Sequence, residues 1–223
     1  MLKLERHSLL ILNERGQTEA KNNRIFVFDH DAAIWDRFPD LPAIYTGRRG
    51  IDGFFQVGFS YPVREDARRV RIASTVSSEG IAESCTPWEL ATRARKSDSV
   101  IGEQMRSVAA IADAAGLRLG LFGAAAMELA TGYTYLHRDS DLDLLVDRAS
   151  YRRLLTFYDT LSDWEYESRH RTDVELRLSK NRYCKLRELL REQSTILCRG
   201  GEEPVLLSRR AALEMLDADD IVF

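Results

Sequence analysis

The segment Leu117–Asp147, LRLGLFGAAAMELATGYTYLHRDSDLDLLVD, constrains this chain more than any other stretch. A short apolar run ends at Gly123 and opens directly into a small-residue stretch that reads as a helix closed by Gly132. A loop, YTYLHRDS, then leads into DLDLLVD, which reads as a strand. Side chains alternate faces along a strand, so Asp141 and Asp143 point the same way, about 7 Å apart. Carboxylates that close repel each other and are comfortable only in water or around a cation. Mg²⁺ (or Mn²⁺) takes one or two carboxylates together with substrate phosphate oxygens. The helix start at Gly123 and Ala124 offers backbone N–H groups and a positive dipole end to phosphate. A lone Asp-x-Asp is more often a solvated strand end. Here a phosphate cradle and a metal cradle adjoin, which makes Asp141 and Asp143 candidate metal ligands and catalytic residues.

The flanking sequence reads as alternating elements. Thr86-Pro87 starts a helical pattern that Lys96–Ser99 breaks in two and Gly116 stops. Ala149–Trp164 reads as an amphipathic helix, RTDVELRLS as a strand of period two, and KLRELLREQ as a helix. TILCRG and PVLLS read as short strands, and SRRAALEMLD as a closing helix capped by Ser208. Asp173 and Glu175 share a strand face, so either is placed to supply a third acid, with Asp173 slightly ahead. Residues 1–82 read as a β-rich, irregular domain or extension, with RIFVF, PAIYTG and FFQVGFSYPV as short strands. Residues 83–223 form the candidate catalytic domain. Strands alternating with helices predict an α+β or α/β sandwich with a mixed sheet.

Strand, glycine turn, helix, loop and Asp-x-Asp together resemble the nucleotidyltransferase fold, whose motif is Gly-Ser, a helix, then Asp-x-Asp. GAAAMELATGYTYLHRDSDLDLL resembles one family more closely, the phosphoribosyl-dephospho-CoA transferases, which make the holo acyl carrier protein of malonate decarboxylase. The matching residues are Gly123, Thr131-Gly132, Tyr135-Leu136 and Ser140 to Leu145. ERHSLL, LPAIYTGRR, VGFSYPVREDARRVRIAS and TDVELRL followed by KLREL resemble the family more weakly.

The resemblance implies an α+β, nucleotidyltransferase-like mixed sheet flanked by helices. It also implies a magnesium-dependent transfer from a nucleotide-like triphosphate donor, the triphosphoribosyl derivative of dephospho-CoA. The acceptor would be a serine of the malonate decarboxylase acyl carrier protein, with diphosphate released. Asp141, Asp143 and Asp173 or Glu175 would be catalytic; Gly123, Ala124, Ser140 and Arg138 would hold the donor. Two departures stand out: Ala124 replaces the family's serine beside the glycine, and Lys185 stands where its tryptophan usually does. The alternatives are a nucleotidyltransferase with another donor and acceptor, or a degenerate domain that binds a nucleotide or carrier protein without turnover.

Composition bounds the rest. In 223 residues, a net charge of −3 argues against a bulk nucleic-acid binder. No stretch approaches the ~20 apolar residues of a membrane helix. Three dispersed cysteines, Cys85, Cys184 and Cys198, lack metal-ligand spacing and predict a reducing, cytoplasmic setting. Arg48, Arg49, Arg64, Arg68 and His137 are weaker phosphate candidates, His7 and His30 have no ligand-spaced partners, and Trp35, Trp88 and Trp164 read as packing residues.

Overall fold

The computed structural model describes residues 4–25, 31–50, 53–65, 68–191, 193–201 and 203–217. The chain is α+β and divides into two compact units, Met1–Thr86 with Ala130–Tyr135, and Pro87–Leu129 with Leu136–Phe223.

In the first unit β1 (Leu9–Leu12), β2 (Ala43–Arg49), β3 (Phe55–Glu65), β4 (Arg68–Val76) and β5 (Ile81–Cys85) form an antiparallel sheet, ordered β4-β3-β2-β1-β5. PAIYTG and FFQVGFSYPV supply β2 and β3. Phe26–Phe28 of RIFVF lie outside the described residues, as does His30. Two helices, α1 (Glu14–Asn22) and α2 (Asp31–Arg37), depart from the irregular reading. Asn13 starts α1, its side-chain oxygen accepting from the Gly16 N–H at 3.0 Å. Of α1, only Gly16 and Ala20 are buried, so it carries no apolar stripe to betray it. A Cβ on Gly16 would stand 2.0 Å from the Gly80 carbonyl oxygen, so a glycine lets this helix pack. Trp35, Phe38, Phe59 and Tyr61 fill the core with edge-on and tilted ring pairs. The Ala130–Tyr135 segment belongs here: the buried Tyr135 hydroxyl donates to the Ser60 carbonyl at 2.8 Å, and Arg69 lies over its ring.

The second unit opens with α3 (Pro87–Arg95) and α4 (Val100–Ala114), separated where Lys96–Ser99 breaks the pattern. Ser99 caps α4 by accepting from the Gly102 N–H at 3.2 Å. β6 (Leu119–Leu121), α5 (Gly123–Thr131), β7 (Leu142–Val146), α6 (Tyr151–Ser168), β8 (Thr172–Ser179), β9 (Arg182–Lys185) and α7 (Leu186–Leu190) follow. A hairpin of β10 (Thr195–Cys198) and β11 (Val205–Ser208) precedes α8 (Arg209–Asp217). The four-stranded sheet runs β6-β7-β8-β9, with β7 and β8 parallel and the outer pairs antiparallel. A parallel pair needs a crossover, and α6 supplies it.

KLRELLREQ departs from its reading: Lys185 ends a strand, and only Leu186–Leu190 are helical. The four residues of β9 are too few for a periodic signal, and pairing with β8 creates the strand. One sheet face carries buried Leu142, Leu144, Val146, Val174 and Leu176, and α6 buries Leu154, Phe157 and Leu161 at helical spacing. The opposite face carries the acids at one end and a cluster of Trp88, Phe122, Leu145 and Tyr183. Arg118 and Arg177 lie over the Trp88 ring at 4.4 and 5.4 Å, and Arg177 Nε donates to Asp147 Oδ1 at 2.9 Å. Trp88→Ala is expected to destabilise the chain by about 3–5 kcal/mol, read as a lower midpoint in urea unfolding.

Candidate active site

β6 delivers the chain to Gly123, whose φ of +68° lies in the left-handed region that favours glycine. A Cβ there would sit 1.8 Å from Asp143 Oδ2, so the absent side chain is the space the carboxylate occupies. The Phe122 N–H donates to the Asp143 carbonyl at 3.1 Å, fixing the strand against the turn. The Ala124 N–H donates to the Asp143 carboxylate. The backbone donor that the sequence reading reserves for phosphate is thus engaged by a carboxylate in the free protein, a helix N-terminus capped from the neighbouring strand.

The parallel register sets Asp143 directly beside Asp173. Asp143 is half-buried, and its pKa is pushed up to about 6. Burial is the largest cause; the Asp173 and Asp141 charges add to it, while the Ala124 N–H and Lys185 oppose it. Asp141 precedes β7 by one residue and is 46% exposed, with Arg171 Nε 2.9 Å from its Oδ1. Arg171 also donates to the Asp139 carbonyl at 2.7 Å, closing the strand entrance. The Lys185 ammonium donates to Asp173 Oδ2. Glu175 stands one step further along β8, opposite Leu145 and Lys185, and is only 5% exposed.

Ser140 closes a turn before the acids, its hydroxyl accepting from the His137 N–H at 2.9 Å. Arg138 and His137 are exposed in that turn. The fold therefore gathers Gly123, Ala124, Asp143 and Asp173 at one point, with Asp141 at its edge and Glu175 beneath. The candidate arginines Arg48, Arg49 and Arg64 belong to the first unit, where Arg49 lies over Phe55.

Sequence reasoning missed the two cations. Arg171, two residues before Asp173, carried a signal in its spacing, since both share a face. Lys185 shows its role only through the β8–β9 register. Lys185→Met is expected to push the Asp143 pKa above its present value, because an opposing positive charge is lost. Carboxyl-carbon NMR titration of the metal-free protein reads this directly.

Among the described residues no group of three or more His, Cys, Asp or Glu side chains is arranged to hold a metal ion. Asp141 and Asp143 nevertheless fit a hard cation that completes its shell with substrate oxygens: they are oxygen donors and they repel each other electrostatically.

A profile of the phosphoribosyl-dephospho-CoA transferase MdcG C-terminal domain matches residues 89–210. The chain belongs to this family. The family's transferases include one from Pseudomonas aeruginosa, 32% identical over 65% of this chain and 69% of that protein. The phosphoribosyl-dephospho-CoA transferase of Xanthomonas axonopodis pv. citri is 28% identical over 77% of this chain and 80% of its own length. That of Pseudomonas fluorescens is 28% identical over 75% and 78%. No solved structure matches significantly. The profile covers the whole Gly123–Asp147 segment and β8, so the acids lie within the matched domain. Among the described residues no helix is long and apolar enough to cross a membrane.

Proposed function

We propose that this chain transfers the phosphoribosyl-dephospho-CoA group from its triphosphate precursor to a serine of the malonate decarboxylase acyl carrier protein, releasing diphosphate. The observation that carries the proposal is the seating of Asp143 against the Gly123–Ala124 turn, beside Asp173. Attack by the serine oxygen at the α-phosphorus forms the new P–O bond and breaks the bond to diphosphate. Asp141 and Asp143 would hold Mg²⁺, which supplies charge neutralisation for the leaving diphosphate.

Asp173 is the better-placed base of the two candidates. It adjoins Asp143 and is 37% exposed, whereas Glu175 is buried. The Lys185 ammonium donates to Asp173 Oδ2 and aims the carboxylate, so its other oxygen would take the serine proton. Glu175 stands opposite Lys185 across β8 and β9. Donor phosphates would engage the first turn of α5, with Ser140 and Arg138 flanking the entrance. Ala124 offers no hydroxyl to the donor, which costs about 0.5–1.5 kcal/mol of binding relative to serine.

Incubating donor, carrier and Mg²⁺ with the protein should add the group's mass to the carrier. No adduct with any divalent metal would reject the proposal. Ala124 also favours a second reading, a nucleotide- or carrier-binding domain without turnover. A binding screen with ATP, GTP, CTP and UTP, and with the carrier, separates it: tight binding without adduct supports that reading.

A further inference from the structure

Cys184 and Cys198 are far apart in sequence, yet the fold sets them side by side. Tyr183 and Arg199 exchange both backbone hydrogen bonds, at 2.9 and 2.7 Å, in an antiparallel bridge between β9 and the end of β10. The next pair inward, Cys184 with Cys198, therefore occupies a non-hydrogen-bonded position. Opposed residues there have Cα atoms about 4.5 Å apart and their closest side chains. That spacing lies within the range a disulfide requires, about 4.4–6.8 Å. The two thiols are close enough to interact directly. Both are free and buried, at 1% and 0% exposure, while Cys85 is partly exposed.

We propose that Cys184 and Cys198 form a site of oxidative modification, a cross-strand dithiol that closes to an intramolecular disulfide under peroxide. The hydrogen bond from Cys184 and the nearby Arg182 charge draw the Cys198 pKa below its usual value, while Cys184 is held as the thiol. Closure begins with peroxide attack at one of the two sulfurs, here Cys198. A hydroperoxide transfers its terminal oxygen to that sulfur, which becomes a sulfenic acid as the peroxide is reduced to an alcohol, or to water from hydrogen peroxide. The Cys184 sulfur then attacks it. The S–O bond breaks, and the hydroxyl leaves as water with the Cys184 proton. Two thiols are oxidised and one peroxide is reduced.

Both sulfurs are buried, so oxidation requires local opening, for which the β10–β11 hairpin is the proposed element. It pairs over four residues and exposes Leu206 at 70%, so it is a cheap element to open. Closure would tie β9 to β10 and lower the freedom of the unfolded chain.

The test uses the whole chain, wild type and Cys85→Ser. Each is treated with hydrogen peroxide, alkylated in denaturant, digested without reduction and mapped by mass spectrometry. We expect a linked peptide pair joining Cys184 to Cys198 in both proteins, reversed by dithiothreitol, and an oxidised form that melts several degrees higher. Recovery of both thiols in alkylated form after Cys85 has been oxidised would overturn the proposal. So would their conversion to sulfinic or sulfonic acids without any linked peptide. Because the linked peptide is read in wild-type protein, the test does not depend on a cysteine variant folding.

Discussion

Asp143→Asn is expected to abolish transfer and yet raise the melting temperature by roughly 3–8 °C at pH 7. The first effect follows from losing the proposed metal-binding carboxylate at the point where Gly123, Ala124 and Asp173 converge. The second follows from the strain of ionising that carboxylate. A pKa raised from 3.8 to about 6 corresponds to about 3 kcal/mol of preference for the neutral form in the fold. Asparagine removes most of that cost and keeps an oxygen to accept from the Ala124 N–H.

The sign follows from proton binding. The folded state holds the proton more tightly than the unfolded chain, so this stabilisation is complete below pH 3.8 and is lost as pH rises through about 6. The mutant's advantage should therefore be full at pH 7, shrink between pH 6 and pH 4, and vanish below. Melting curves of both proteins across that range check it. Equal melting temperatures at pH 7 would mean the carboxylate is not strained.

Gly123→Ala is the second large effect, and its sign on stability is opposite. The added Cβ would need the space of Asp143 Oδ2, 1.8 Å away, at a φ of +68° that costs an L-residue roughly 1–2 kcal/mol. Either the turn or Asp143 must move. A displacement near 1 Å is enough to cost on the order of 10²-fold in rate. We expect a fall in stability of about 2 kcal/mol and a loss of transfer of 10²-fold or more. Urea unfolding and initial-rate measurements read the two separately. Retained activity would show that Asp143 need not occupy the turn.

Local elements of the second unit were legible where composition and period agree. A small-residue helix between Gly123 and Gly132, an apolar strand after Asp141 and a strand of period two from Thr172 all form. Ends shifted by a residue or two: Asp141 is read as part of the strand but lies just outside it, held by Arg171. Register was not legible. No periodicity says that β7 and β8 run parallel with Asp143 against Asp173, because register is decided by burial across the sheet. Lys185 read as helical because its neighbours favour helix, and tertiary pairing overrode that preference. The same kind of long-range pairing joins Cys184 to Cys198. In the first unit, α1 was hidden because its buried residues are only a glycine and an alanine.

Asp143, with Asp141, is proposed to bind a divalent cation at the Gly123 turn. Mn²⁺ titration followed by electron paramagnetic resonance tests it most directly, in wild type and in a folded Asp143→Asn variant. Wild type should show one saturable site, tightened by the triphosphate donor and lost in the variant. Equal binding by both proteins would contradict it.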